Sequence, residues 1–187
     1  MAADTTATPT LYLMVGLPTS GKTTRSLEIE ASLGALRLSP DEWLGPLFGK
    51  TENERARDVI EGRLIWLALK ALAGGNDVIL DFGFWSKEER DALRFAATTV
   101  GASCRLIYLE VDESEQRLRL ERRYLADPAY RAEVLPQVLS EARKYFRVPD
   151  AHEFGSREPG PPPDGFDNWL AWMHERWPTS DGRMFAG

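Results

Sequence analysis

Gly16-Leu17-Pro18-Thr19-Ser20-Gly21-Lys22-Thr23 places two glycines five apart, with a lysine and then a hydroxyl directly after the second. This is the Walker A spacing, and with glycine at about 7% of average usage a chance match in a chain this short is roughly a one-in-a-hundred event. The chemistry it predicts is the holding of a nucleoside triphosphate. Successive backbone N–H groups and a helix N-terminus would cradle phosphate oxygens, Lys22 would reach the β- and γ-phosphates, and Thr23 would hold Mg²⁺. The nucleotide contacts then fall to Gly16, Thr19, Ser20, Gly21, Lys22, Thr23 and Thr24.

A bound ATP needs an acceptor. No Asn-Lys-x-Asp run is present to specify guanine, so a phosphotransferase is favoured over a GTPase, and such an enzyme needs a carboxylate facing a substrate hydroxyl. Asp41, just after a short apolar strand, is the candidate for that role, although an acid in the first turn of a helix is also favoured by the macrodipole without any function. Asp81 follows Val78-Ile79-Leu80, the usual setting of a carboxylate that holds Mg²⁺ directly or through water. Asp81-Phe82-Gly83 also spells the protein-kinase metal motif, but no His-Arg-Asp or Ala-Pro-Glu accompanies it, and the spelling is read as coincidence. Phe84 and Trp85 are candidates for the floor of an acceptor pocket, with core packing as the equal alternative. Between Arg117 and Arg147 eight Lys/Arg face four Asp/Glu. Arg119 and Arg123, four apart and so on one helix face, suit a clamp on the transferring phosphoryl group; a solvated charged face is the other reading.

These residues must be positioned by an α/β frame. Thr10 to Val15 is a continuous apolar run of the kind buried on both faces in a parallel sheet, and it ends at Gly16. Lys22 to Leu33 is predicted as a helix stopped by Gly34, and Leu36-Arg37-Leu38 as a short strand. Ser39 and Glu42 have capping-box spacing around Pro40, predicting a helix that breaks at Gly45-Pro46; a longer helix follows from about Asn53 to Ala73. Val78 to Leu80 is a strand ending in Asp81, Ser86 with Glu89 caps a helix to about Val100, and Cys104 to Leu109 is another strand. Asp112 and Glu115 cap a further helix, and Arg131 to Tyr145 is helical. The alternation predicts a three-layer α/β sandwich of the P-loop NTPase class, a mainly parallel sheet of four to five strands with helices on both faces. Residues 1–153 are assigned to this domain with a lid around 117–147. Gly155 to Gly165, with four prolines and three glycines, is a linker, and Phe166 to Trp177 a C-terminal aromatic helix docked on the body.

Composition narrows the partners. A length of 187 residues favours one domain, and a net charge of −6 disfavours nucleic-acid or anionic-membrane binding. Cys104 is the lone cysteine, so no intramolecular disulfide forms; it is read as packing in a buried strand, and a reducing cytoplasm fits. The first apolar run is far too short to span a bilayer and the N-terminus lacks a secretory signal's pattern, so a soluble, cytoplasmic protein is expected.

The loop at 16–23, Ser39-Pro40-Asp41-Glu42, Val78 to Trp85 and the Arg119/Arg123 pair resemble the small P-loop kinases of the AAA-type ATP-binding group, related to zeta toxins, chloramphenicol phosphotransferase and the polynucleotide kinase domain. The resemblance covers roughly residues 11–153. It implies that Asp41 orients an acceptor hydroxyl and that the lid arginines stabilise transfer. The chain departs from the group at Thr19, where glycine is common, and at Pro40, which separates Ser39 from Asp41. The expected activity is ATP-dependent transfer of the γ-phosphoryl group to a hydroxyl of a small molecule, an antibiotic or nucleotide-sugar-like compound by family analogy. A nucleotide-gated binding or toxin-regulatory module and a polynucleotide 5′-hydroxyl kinase are the alternatives.

Overall fold

The structure, a computed structural model, describes residues 7–49, 54–126, 135–155 and 157–181. Four strands form one all-parallel sheet: β1 (Thr10–Val15), β2 (Leu36–Leu38), β3 (Val78–Gly83) and β4 (Ser103–Tyr108), in the order β2-β3-β1-β4. The helices are α1 (Lys22–Leu33), α2 (Pro40–Phe48), α3 (Glu54–Ala73), α4 (Lys87–Thr99), α5 (Glu113–Ala126), α6 (Leu135–Tyr145) and α7 (Trp169–Arg176), followed by a 3-10 turn at Pro178–Ser180. The fold is that of a P-loop NTPase, with the expected α/β layers.

Successive side chains of a strand point to opposite faces, and β1 shows why an unbroken apolar run is needed there. Leu11, Leu13 and Val15 join the larger core with Leu64, Ile65, Leu72, Leu93 and Ala96 from α3 and α4. Tyr12 and Met14 join Ile79 and Ile29 of α1 on the other face. Positions 11–15 are all buried, so an unpaired polar side chain at any of them would carry the full cost of desolvation.

The sequence expectation differs from the structure at three places. Helix α2 runs through Gly45-Pro46 to Phe48 instead of breaking there. Pro46 lies seven residues from Ser39, so it removes one late N–H while the helix is held by Leu44, which is buried in the core. The capping box at Ser39 does not form: no side-chain bond caps α2, because Glu42 pairs with Arg37 instead. Strand β3 continues through Asp81 to Gly83, so Asp81 lies within the strand rather than after it. The box at Ser86 and Glu89 does form, with both reciprocal bonds.

The segment beyond residue 155 packs on the body. Trp169, Met173 and Trp177 are buried in the larger core. Trp169 Nε1 donates to the Gly160 carbonyl at 2.7 Å, and Thr179 Oγ1 to that of Val59 at 2.8 Å. Gly62, in the middle of α3, explains the fit: a Cβ there would lie 2.1 Å from Thr179 Oγ1 and 3.0 Å from the Ser180 nitrogen.

Candidate active site

The loop between β1 and α1 is pinned at both ends. Gly16 N donates to Gly83 O at 3.2 Å, Leu109 N to Val15 O at 2.9 Å, and Ser20 N closes a turn onto Leu17 O at 3.2 Å. Gly16 is obligatory on steric grounds, since a Cβ would meet Leu109 O and Ser20 Oγ, each at 2.7 Å. Thr19 sits at φ 62°, in the left-handed region that costs an L-residue about 1 kcal/mol or more. Glycine there would be unstrained.

Gly21, left-handed at φ 99°, is the N-cap of α1, which has no side-chain cap and no acidic residue in its first turn. Helices α2, α4 and α5 all carry acids in their first turns. The N–H groups opening α1 thus keep their positive end uncompensated, as an anion site requires. Ser20 Oγ is buried without a hydrogen-bond partner, an orphan polar atom inside this loop. Glycine cradle, bare helix end, orphan hydroxyl and lysine together fit a polyphosphate. Lys22 Nζ donates to Leu17 O at 2.8 Å, across the loop. Burial pulls its pKa down to about 8, opposed by the charges of Asp81 and then Asp41, so both candidate carboxylates lie within electrostatic reach of the amine. Thr23 and Thr24 are exposed at the start of α1.

Asp81 is held in a buried polar cluster. Its Oδ2 lies 2.9 Å from both Ser26 Oγ and Arg37 Nη2, while Arg37 Nε donates to Ser26 Oγ at 2.8 Å. The Arg37 and Asp81 side chains are 3% and 2% exposed. Both of these bonds fall on Oδ2 of Asp81; Thr23, on the first turn of α1, is the other residue that could hold a metal. Two protein ligands fit Mg²⁺, which is usually held by one or two protein groups plus phosphates and waters.

Asp41 is 75% exposed in the first turn of α2, with Oδ1 at 2.5 Å from Arg57 Nη2 of α3. Arg119 reaches the loop: Nη1 donates to the Thr19 and Ser20 carbonyls, both at 3.3 Å, and Nε to Glu115 at 2.6 Å. The side chain of Arg123 lies outside the described residues. Phe84 turns into the core, stacked on Phe82 at 5.1 Å and edge-on to Trp177 at 6.5 Å, and not onto a pocket floor. Its φ is 37°, in the left-handed region. Trp85 keeps partial exposure beside Leu17 and Val111.

Arg37, Ser26, Arg57, Glu61 and Gln116 escaped the sequence reading. Gln116 is buried on α5, donates to Pro18 O at 2.8 Å and accepts from Arg143 Nε at 3.0 Å, tying the loop to α6. The one signal for Arg37 was a lone charge inside an apolar strand. Arg57, Glu61 and Gln116 carried none, being polar residues on helices whose contacts depend on the packing.

A family model described as an AAA domain matches residues 11–149. Among curated proteins none matches. A protein described as a candidate kinase from Chloroflexus aurantiacus is similar in structure over 90% of this chain and 97% of its own, at 21% identity and TM-score 0.63. A chain of the Pnkp1/Rnl/Hen1 RNA repair complex is similar over 84% of this chain and 52% of its own, at 17% identity and TM-score 0.59. A sugar kinase from a Janibacter species is similar over 78% and 81%, at 18% identity and TM-score 0.55. At these identities the likeness is one of fold.

Proposed function

The chain belongs to this AAA-domain family, and from that premise we propose that it is a phosphotransferase moving the γ-phosphoryl group of ATP to a hydroxyl of a small molecule. The carrying observation is the loop before α1, where Gly16 admits no Cβ, Ser20 Oγ is buried without a partner and the uncapped helix start bears Lys22; two carboxylates held differently accompany it. Asp81 is buried and locked by Arg37 and Ser26, whereas Asp41 is exposed toward solvent. A fixed carboxylate suits a metal and an accessible one suits an incoming hydroxyl.

In this reading the 16–21 backbone and the N-terminus of α1 bind the phosphates, and Lys22 supplies positive charge where charge develops on the transferring group. Mg²⁺, held by Thr23 and Asp81, would neutralise phosphate charge and orient the chain of phosphates. Asp41 accepts a hydrogen bond from the acceptor hydroxyl and aligns it. Positioning of this kind supplies most of the rate when the transition state is loose. Arg119, already on the loop carbonyls, stands at the rim as the second cation. Arg123 is proposed beside it on helical spacing alone.

The test is a mass-spectrometric screen for phosphorylated product with Mg·ATP and a panel of sugars, nucleosides, nucleotide sugars, aminoglycosides, macrolides and short oligonucleotides. A product that disappears in Lys22→Ala and in Asp41→Ala, with ATP affinity kept in the latter, supports the assignment. ATP binding with no product from any panel member favours a nucleotide-gated module instead.

A further inference from the structure

The family match ends at residue 149, yet the chain beyond it reaches back to the candidate acceptor carboxylate. Trp177 is buried, and its Nε1 donates to Glu61 Oε2 at 3.0 Å. The other oxygen, Glu61 Oε1, lies 3.6 Å from Arg57 Nη1, one turn earlier on α3, and Arg57 Nη2 touches Asp41. Four side chains from the C-terminal segment, α3 and α2 therefore stand in an unbroken series.

The order of burial gives the series a direction. Asp41 and Arg57 are 75% and 38% exposed, and an ion pair that open is worth little and samples several geometries when left to itself. Glu61 is buried and cannot swing into water. Indole has a single donor, so Trp177 fixes one oxygen of Glu61 and leaves the second for Arg57. Arg176 reinforces the grip, stacking over the Trp177 ring at 4.9 Å while pairing with Asp58 and Glu89. Filling the core needs only an apolar ring at 177; the indole nitrogen aimed at a buried carboxylate is the part that core filling does not require.

We propose that Trp177 and Glu61 are positioning residues of the acceptor side, holding the Arg57 guanidinium at Asp41, so that the C-terminal segment completes a site otherwise built within residues 11–149. This rests on the acceptor role proposed for Asp41. The experiment uses the full chain with ¹⁵N-labelled arginine and measures rotation of the Arg57 guanidinium by side-chain NMR, assigned with Arg57→Lys. Trp177→Phe keeps a ring and deletes the donor; Glu61→Gln keeps the shape and deletes the charge. Both are expected to speed the rotation several-fold, and both to lower kcat roughly tenfold to a hundredfold at unchanged KM for ATP on the acceptor found by the screen. If Trp177→Phe fails to fold, Glu61→Gln decides. Unchanged rotation, with transfer still lost in Asp41→Ala, overturns the positioning role alone. Transfer retained in Asp41→Ala overturns the acceptor reading and this proposal's catalytic part with it, whatever Arg57 does.

Discussion

Lys22 is the candidate-site residue whose chemistry is most altered by its surroundings. Its ordinary pKa of 10.5 falls to about 8 because burial disfavours the ammonium more than Asp81 and Asp41 favour it. Between those two values the unfolded chain holds more protons than the folded one, so this group makes the nucleotide-free protein more stable as pH rises from about 8 toward 10.5. Nucleotide binding runs the other way. Phosphates beside the amine favour its charged form, so ATP binding at about pH 8.5 is expected to take up protons, and affinity to fall as pH rises further. Calorimetric titrations in buffers of differing ionisation enthalpy read the uptake directly, and Lys22→Met should abolish it. Cys104 shows the same cause with the opposite sign for an acid: desolvation pushes its thiol up to about 12, so it stays protonated at neutral pH.

Among the elements, α3 serves two neighbours at once. It covers the sheet through Leu64, Ile65, Ala68 and Leu72 and also receives the C-terminal turn at Gly62. A mid-helix glycine costs about 1 kcal/mol against alanine, so Gly62→Ala would stabilise an isolated α3. Here the added methyl strikes Thr179 and the Ser180 backbone, which must move. The expected outcome is a lower melting temperature together with faster hydrogen exchange confined to residues 169–181, while the amides of β1 and β3 keep their protection. An unchanged exchange pattern would mean that the turn shifts without cost.

Across the whole molecule, buried ion pairs on the C-terminal side of the sheet join segments far apart in sequence. Arg90, fully buried on α4, binds Glu153 through two bonds of 2.6 and 3.0 Å and also donates to the Phe84 and Trp85 carbonyls. The chain leaving α6 is thereby fastened to the segment leaving β3. Removing one partner leaves a charge buried and uncompensated, so Glu153→Gln is expected to cost about 3 kcal/mol of stability in urea unfolding. Glu153→Gln together with Arg90→Met should recover much of that loss, since it removes both charges. Among the described residues no helix is long and apolar enough to cross a membrane.

What the sequence determined by itself is what local rules govern. The unbroken apolar run of β1, the glycine spacing at 16–23 and the serine–glutamate box at 86–89 each act within a few residues, and each is read correctly as strand, loop and helix start. The α/β class follows from their alternation. Contacts set by tertiary packing were not legible: Arg37 against Asp81, Glu61 between Trp177 and Arg57, and Gln116 beneath the loop join residues 44, 116 and 98 positions apart. A charged or amide side chain on a helix or short strand has the same local pattern whether it faces water or a buried partner. Only the packing of α3, α4 and the C-terminal segment on the sheet decides between the two, because burial makes an unpaired polar group costly and so forces each to find its partner.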